Sequence, residues 1–316
     1  MKILITGVHG FVGSNLVNAL SKEHVIYGLD IVNPTKDGIR YTFSWDYLDK
    51  EEGMPEVDAI IHLAGKAHDT KSQSAADVYF KVNTELTKKI YDYFLNSNAK
   101  KFIFFSSVKA AADRVEGEYV DENVVPSPVG PYGESKIAAE EYIRSKEDER
   151  IKASKETYIL RPCMIHGPGN KGNLNLLYGV VKKGIPWPLG AFENKRTFMS
   201  IDNLCYIING LLASDVESGI YHVNDDEPVS TNELIDIICS AMGKKAHIWR
   251  IPRGLMEGVA KVGGALHLPL NPERLQKLTE NYVSSNVKIK KALGIKVLPV
   301  RAKDGLFKTI KSFEGK

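Results

Sequence analysis

The sequence predicts an α/β chain: a doubly wound parallel sheet with a smaller C-terminal lobe. Three observations predict it. Short apolar runs alternate with helical patterns through the first half, which argues for parallel strands covered by helices on both faces. A glycine-rich turn, Thr6-Gly-Val-His-Gly10-Phe-Val-Gly13, follows the first apolar run and opens a helical pattern. After Arg161 the texture shifts to Gly, Pro and Asn, which reads as a lobe closing over the strand ends where open α/β sheets bind ligands.

Strands are expected at Lys2–Thr6, Val25–Asp30, Ile39–Phe43, Ala59–Leu63, Lys101–Ser106 and Tyr158–Arg161, because each is a short apolar or β-branched run between polar breaks. Helical spacing predicts helices over about 11–22, 74–97 and 132–147. The stretch 163–200 reads as loops broken by one helix near 174–183. Further helices follow at about 201–213, 231–242, 254–265, 272–280 and 300–313, with a strand near 219–223 that can return to the main sheet. The division expected is a dinucleotide-binding part over 1–162 and a mainly substrate-binding lobe over 163–316, with 163 marking a change of role more than a clean cut.

Composition narrows the classes. The chain has 316 residues, 43% apolar and 26% charged, as in an ordinary soluble globular protein. Net charge is +3 with no long basic run, so neither nucleic acid nor a membrane is the partner implied, while an anionic small molecule is accommodated. Cys163, Cys205 and Cys239 match no metal-ligand spacing and give no disulfide framework, which fits a reducing interior and small buried hydrophobes. No apolar stretch reaches the length of a membrane span. Residues 251–270 come nearest but carry Arg253, Glu257 and Lys261. The N-terminus runs directly into Ile3-Leu-Ile5 without signal-peptide character, and the expected location is cytoplasmic.

The chemistry is carried by a constellation. In the glycine turn, Gly7 permits the tight bend, Gly10 lets the backbone approach a pyrophosphate, and Gly13 lets the helix pack close to the strand. The helix N-terminus then offers free N–H groups to phosphates. Asp30, seventeen residues after Gly13 and ending the second strand, can accept from both hydroxyls of an adenosine ribose and would repel a 2′-phosphate; it could also simply cap the turn before Asn33-Pro34. Tyr132 and Lys136 are four residues apart, hence on one helix face, where the ammonium is expected to lower the phenol pKa from about 10. Such a tyrosine can exchange a proton with a sugar hydroxyl. Ser106-Ser107 brings a hydroxyl to the end of the fifth strand beside it. His62 reads as a packed strand residue, and Asp46 either as an acceptor for an adenine amino group or as a plain surface acid.

Together these motifs resemble the extended short-chain dehydrogenase/reductase superfamily, in its NAD-dependent nucleotide-sugar epimerase/dehydratase branch. The resemblance covers nearly the whole chain: Thr-Gly-x-x-Gly-x-x-Gly, the acid after the second strand, His62-Leu-Ala-Gly65, Phe-x-Ser-Ser, Pro-Tyr-x-x-Ser-Lys and Leu160-Arg-Pro-x-x-x-x-Gly-Pro-Gly169 occur in the family's order. It implies a Rossmann-type sheet, NAD as cofactor and a catalytic triad of Ser107, Tyr132 and Lys136, with Lys136 also bonding the nicotinamide ribose. It extends the cofactor site to Gly7, Gly10, Phe11, Val12, Gly13, Asp30, Ile31, Asp46, Leu63, Ala64 and Gly65. For the substrate, taken to be a nucleotide sugar and most simply a UDP-hexose, it implies Asn173 and Arg196 at the diphosphate, with Arg274 as a second cation. A guanidinium suits a diphosphate because its fork is planar and always charged, though Arg196 could instead serve an interface ion pair. Lys109 could touch the sugar or a phosphate, or be an ordinary exposed lysine. His166, where the family usually has tyrosine, could line the nicotinamide pocket or only pack.

The departures choose among reactions. The family's dehydratases follow the catalytic hydroxyl with an Asp-Glu pair, and here Ser107 is followed by Val108 and Lys109, so the acid and base of dehydration are missing. What remains is redox chemistry at the sugar C4: epimerisation through a transient 4-keto sugar, or reduction of a 4-keto-6-deoxy sugar. A dinucleotide-sensing regulator on the same fold would have little reason to keep all three of Ser107, Tyr132 and Lys136. Relatives commonly pair their equivalents of helices 74–97 and 132–147 across a two-fold axis. The expectation here is therefore a homodimer through these helices, whose apolar stripes, including Tyr79, Leu86, Tyr93, Ile137 and Ile143, look wider than one buried face requires, although some of these residues must cover the sheet.

Overall fold

The structure, a computed structural model, describes residues 1–50, 53–66, 75–170, 172–266 and 270–314. These form a seven-stranded, all-parallel sheet in the order β3-β2-β1-β4-β5-β6-β9. The strands are β1 (Lys2–Thr6), β2 (Val25–Leu29), β3 (Ile39–Phe43), β4 (Ala59–His62), β5 (Lys101–Phe105), β6 (Glu156–Pro162) and, after two short strands described below, β9 (Gly219–Val223). Helix α1 (Phe11–Leu20) crosses from β1 to β2, and the order of the strands reverses at β1/β4, the crevice where such sheets hold ligands.

Both faces are covered. On one, Leu16, Val17 and Leu20 of α1 pack with Leu204, Ile207, Ile208 and Leu211 of a later helix, Ile201–Ala213, against Ile3, Ile5, Ile61 and Ile103. On the other, Ile90, Tyr91 and Phe94 of one helix and Ala139 and Ile143 of another pack on Leu4, Ile60, Phe102 and Phe104. Alternate residues of β1, β4 and β5 thus feed opposite cores, and the central strands read as continuous apolar runs because both faces are buried.

The helix expected over 74–97 begins outside the described residues. Its described part is interrupted: α2 (Ala76–Tyr79), a π-helical turn over Phe80–Glu85, then α3 (Leu86–Asn96). A short α4 (Val108–Ala111) follows β5 at once, with Ser107 as its N-cap. The helix expected at 132–147 is α5 (Pro131–Ser145), with proline in its first turn, where a missing N–H costs nothing. It is followed by α6 (Glu147–Lys152).

The lobe after β6 holds its own core of Leu174, Tyr178, Trp187, Phe198, Leu234, Ile238, Leu275, Leu306 and others. The elements after β6 are β7 (Met164–His166), α7 (Asn173–Lys182), β8 (Phe198–Ser200), α8 (Ile201–Ala213), α9 (Thr231–Ala241), α10 (Arg253–Ala265), α11 (Pro272–Thr279), α12 (Val287–Ala292) and α13 (Ala302–Lys311), of which α8 and α12 pack with the main sheet. Strands β7 and β8 form a separate parallel pair. They were expected as loop, and three residues are too few for a period-two pattern to register. Strand β9 does return to the sheet, beside β6, and α8 packs on α1, so residues beyond 163 complete the first body.

Two of the outer-face residues expected at a dimer interface lie inward. Tyr79 is 4% exposed with its ring edge-on to Tyr132, and Ile143 is 3% exposed in the core under the sheet. The interrupted helix explains the first: the π turn shifts the helical phase, so spacing counted from 86 no longer holds at 79. No helix among the described residues is long and apolar enough to cross a membrane.

Candidate active site

The expected triad comes together at the carboxyl end of β5. Ser107 is held in extended backbone as the N-cap of α4, where its Oγ accepts from the Lys109 N–H at 3.2 Å. Tyr132 lies at the start of α5, part-buried, with the Ser107 hydroxyl near enough to favour its ionised form. Helix α5 approaches this closely because residue 133 is glycine: a Cβ there would stand 2.6 Å from the Lys109 carbonyl oxygen. Lys136, 5% exposed, donates from Nζ to the Phe105 carbonyl at 2.8 Å and lies over the Phe104 ring.

The electrostatics correct one expectation. The Tyr132 pKa is raised: burial is the largest cause, the nearby Ser107 hydroxyl opposes it, and Tyr79 adds to it. Lys136 is itself lowered to about 8 by burial, with Glu140 opposing. Proximity of a cation is therefore not the ruling influence. Both groups share a dry pocket that penalises both charges, phenolate and ammonium alike.

A buried polar chain behind the triad has no counterpart in the motif reading. Thr6 Oγ1 accepts from the Leu63 and Ala64 N–H groups, at 3.2 and 3.0 Å, and so turns its own proton to His62 Nδ1 at 2.7 Å. His62 Nε2 then carries the ring proton and donates to Thr87 Oγ1 at 2.9 Å, and Thr87 donates to the Asn83 carbonyl. Burial holds His62 well below its ordinary pKa, so it stays neutral and the chain keeps this direction. His62 is thus the packed strand residue expected, and it also sets the tautomer of the network.

The network ends on Asn83, fully buried within the π turn. Its Oδ1 accepts from the Lys66 N–H and its Nδ2 donates to the Lys66 carbonyl and to Ser135 Oγ, while Ser135 donates to the Tyr132 carbonyl. A Cβ on Gly65 would lie 2.9 Å from Asn83 Oδ1 and 3.1 Å from Lys136 Nζ, which places the Leu63–Gly65 turn against the same cluster. Asn83 was missed as a residue packed beside the site. The available signal was a polar amide inside an apolar helical stripe.

The residues fit NAD at the crevice. A Cβ on Gly13 would stand 2.5 Å from the Gly7 carbonyl oxygen and 2.7 Å from that of Val8, so strand, loop and helix close only with glycine there. The N-cap, Gly10, has no side chain to offer, and the first turn of α1 contains no acid. The first-turn N–H groups of Phe11, Val12 and Gly13 therefore face a position suited to phosphate. Asp30 follows directly on β2, one residue past the strand's observed end, and accepts from the His9 N–H at 3.1 Å and the Ile31 N–H at 2.7 Å. Beside it lies a hollow of about 180 Å³ lined by Asp30, Ile31, Val32, Thr42, Ser44 and Tyr47. Asp46 is not in that lining. It is exposed and held by Ser44 and by Lys50 at 2.9 Å, which take its pKa down to about 2. A larger hollow, about 330 Å³, lies by Arg144, Arg161 and Lys288 and includes none of the triad, so size alone does not locate the site.

Toward the second lobe the expected substrate residues are spread. Asn173 is exposed at the first position of α7. Arg196 bridges two segments, pairing its backbone with Val229 and donating from Nη1 to the Lys277 carbonyl at 2.8 Å; burial lowers its pKa, and Glu280 opposes this. Arg274 lies one turn before Lys277 on α11, exposed, its N–H capped by Asn271. Lys109 is engaged by Asp113, donating to its carbonyl at 2.7 Å and its carboxylate at 3.0 Å, and lies over the Tyr282 ring. His166 is fully buried, bonded to Thr309 at 2.9 Å and facing Asp225 at 3.6 Å, so it packs between lobe elements. The three cysteines are unpaired. Burial pushes the Cys163 thiol up to about 11 and Cys205 to about 12, and no cluster of metal-binding side chains occurs among the described residues.

Residues 3–223 match the family described as the NAD dependent epimerase/dehydratase family. Over 274 residues the chain is 30% identical to UDP-glucose 4-epimerase of Vibrio cholerae, covering 79% of this chain and 78% of that protein. Over 299 residues it is 26% identical to the N-acetyl-alpha-D-glucosaminyl-diphospho-ditrans,octacis-undecaprenol 4-epimerase of Escherichia coli O157:H7, covering 92% and 84%. Among solved structures, UDP-glucuronic acid 4-epimerase from Bacillus cereus in complex with NAD superposes with a TM-score of 0.75 at 19% identity, over 100% of this chain and 99% of that one. UDP-glucose 4-epimerase from Thermotoga maritima with UDP-glucose gives the same TM-score and coverage, also at 19% identity. These two likenesses establish the fold.

Proposed function

The chain belongs to the NAD dependent epimerase/dehydratase family, and from that premise we propose that it inverts C4 of a hexose carried on a diphosphate, with UDP-hexose as the simplest carrier. The names of the two relatives have in common a sugar on a diphosphate and chemistry at C4. The single observation that carries the reading is the gathering of Ser107, Tyr132 and buried Lys136 at the carboxyl end of β5, beside the crevice that Gly10, Gly13 and Asp30 shape.

NAD+, when bound, supplies the two-electron acceptor for C4 and a positive ring that favours ionised Tyr132. Tyr132 takes the proton of the sugar 4-hydroxyl onto its phenolate oxygen as C4 is oxidised, and returns it to the same oxygen as C4 is reduced. Ser107 donates to the sugar oxygen during both steps and holds the phenol in line. Lys136, fixed by the Phe105 carbonyl, supplies a second donor at the crevice, beside the Leu63–Gly65 turn. Inversion requires the 4-keto sugar to present its other face between the two steps. Val108 and Lys109 stand where dehydration would need carboxylates, and the acid nearest in sequence, Asp113, is paired with Lys109. Arg196, with Arg274 and Asn173, is assigned to the diphosphate.

Replacing Tyr132 with Phe keeps the ring and removes the transferring oxygen. The expected result is a fall in kcat of at least ~100-fold, with NAD binding retained by calorimetry. Near-normal turnover of a UDP-hexose by that variant would refute the assignment.

A further inference from the structure

Helix α10 is turned the wrong way for a helix that serves only a core. It buries Met256, Ala260 and Gly263 against the lobe and leaves its larger aliphatic groups outside. Leu255, Val259, Val262 and Leu266 are 60%, 48%, 58% and 64% exposed. Spacings of four, three and four residues put these side chains within about 60° of arc at 3.6 residues per turn, a continuous apolar stripe. Arg253, Glu257 and Lys261 fall on the opposite side of the helix.

The surroundings are basic. From residue 244 to 266 there are five exposed cations, Lys244, Lys245, Arg250, Arg253 and Lys261, against one acid, Glu257, a net charge of +4 in a chain whose total is +3. Trp249, 57% exposed, stands just before the helix. The bridge of Trp187 to Ile248 lays the end of α7 alongside this segment and adds exposed Lys182, Lys183 and Ile185. No single run of the sequence is strongly basic; the fold gathers the charge.

We propose that α10 is an interfacial helix that seats this lobe on an anionic lipid surface. At 13 residues it is too short to span a bilayer and suited to lying in its plane. The exposed stripe matches the acyl boundary, and the surrounding cations and Trp249 match an anionic headgroup layer. A second copy of the chain fits less well, because an isologous contact would set one +4 segment against another. The inference does not depend on which sugar the active site turns over.

The test is co-sedimentation of the full chain with vesicles of phosphatidylcholine containing about a third phosphatidylglycerol, the anionic component of such surfaces. Binding is expected there, weakened by high salt and absent on phosphatidylcholine alone. The variant Leu255→Gln/Val259→Gln/Val262→Gln/Leu266→Gln replaces exposed groups only, and should weaken binding at least ~10-fold with NAD affinity unchanged. Lys244→Glu/Lys245→Glu should weaken it too while leaving the stripe intact. Absence of binding to the anionic vesicles, or binding that survives the glutamine variant, would overturn the proposal. A glutamine variant that lowers the solution mass by light scattering would overturn it as well, assigning the stripe to a second copy.

Discussion

At Tyr132 and Lys136 one cause, burial, acts on two groups in opposite directions, raising the phenol and lowering the ammonium to about 8. The lysine carries a consequence for stability. Folded Lys136 releases its proton near 8 and an unfolded lysine near 10.5, so between these values the unfolded chain binds more protons and stability rises with pH. Below about 8 the whole cost of burying the ammonium is present. Relative to Lys136→Met, the wild type should therefore gain about 2 to 3 kcal/mol of stability between pH 7 and pH 10, read by urea denaturation at each pH. A difference that stays flat with pH would place the titration of Lys136 elsewhere. The triad, the glycine turn and Asp30 were legible in the sequence because each is a local pattern at fixed spacing. Asn83, the Thr6–His62–Thr87 chain and Gly133 were not, since they matter through contacts between residues 17 to 58 positions apart or through one close backbone approach. The expected fall of the Tyr132 pKa failed for a similar reason: spacing gives proximity but not desolvation.

Helix α5 is fixed in depth by a buried ion pair. Glu140 accepts from Arg161 Nε at 3.0 Å and from Nη2 at 2.6 Å, and also from the Ser106 hydroxyl, with both charged side chains at most 2% exposed. One group thus ties the helix that carries Tyr132 and Lys136 to β6 and to the end of β5. Glu140→Ala should destabilise the protein by about 3–5 kcal/mol, because the guanidinium is left buried without a partner. The double variant Glu140→Met/Arg161→Met should lose less than that single change in urea denaturation. If the double variant is the worse of the two, the pair contributes more than its mutual compensation. The sheet strands were legible because doubly buried strands are unbroken apolar runs. Strands β7 and β8 were not, being three residues each inside a Gly- and Pro-rich stretch. The π turn was not, because a one-residue change of helical phase leaves composition untouched.

Across the whole molecule the first body is assembled from distant parts, since β9 completes a sheet begun at Lys2 and α8 packs with α1 on its face. Helices α3 and α5 lie side by side on its outer face, joined by the Tyr142 hydroxyl to Asp92 at 2.6 Å. Leu86, Tyr93 and Ile137 remain half-exposed there, and a homodimer through these two helices is proposed. Light scattering at micromolar concentration should give twice the chain mass, and Ile137→Asp with Leu86→Asp should reduce it to that of one chain; a monomer from the outset contradicts the assembly. The central claim is oxidation and reduction at one carbon within one site. It is tested most directly by turnover, without added cofactor, of a UDP-hexose labelled with deuterium at C4. The account predicts that NMR finds the C4 epimer with the label still on C4 and nothing washed in from solvent. Label lost to water, or a product unchanged at C4, would contradict it.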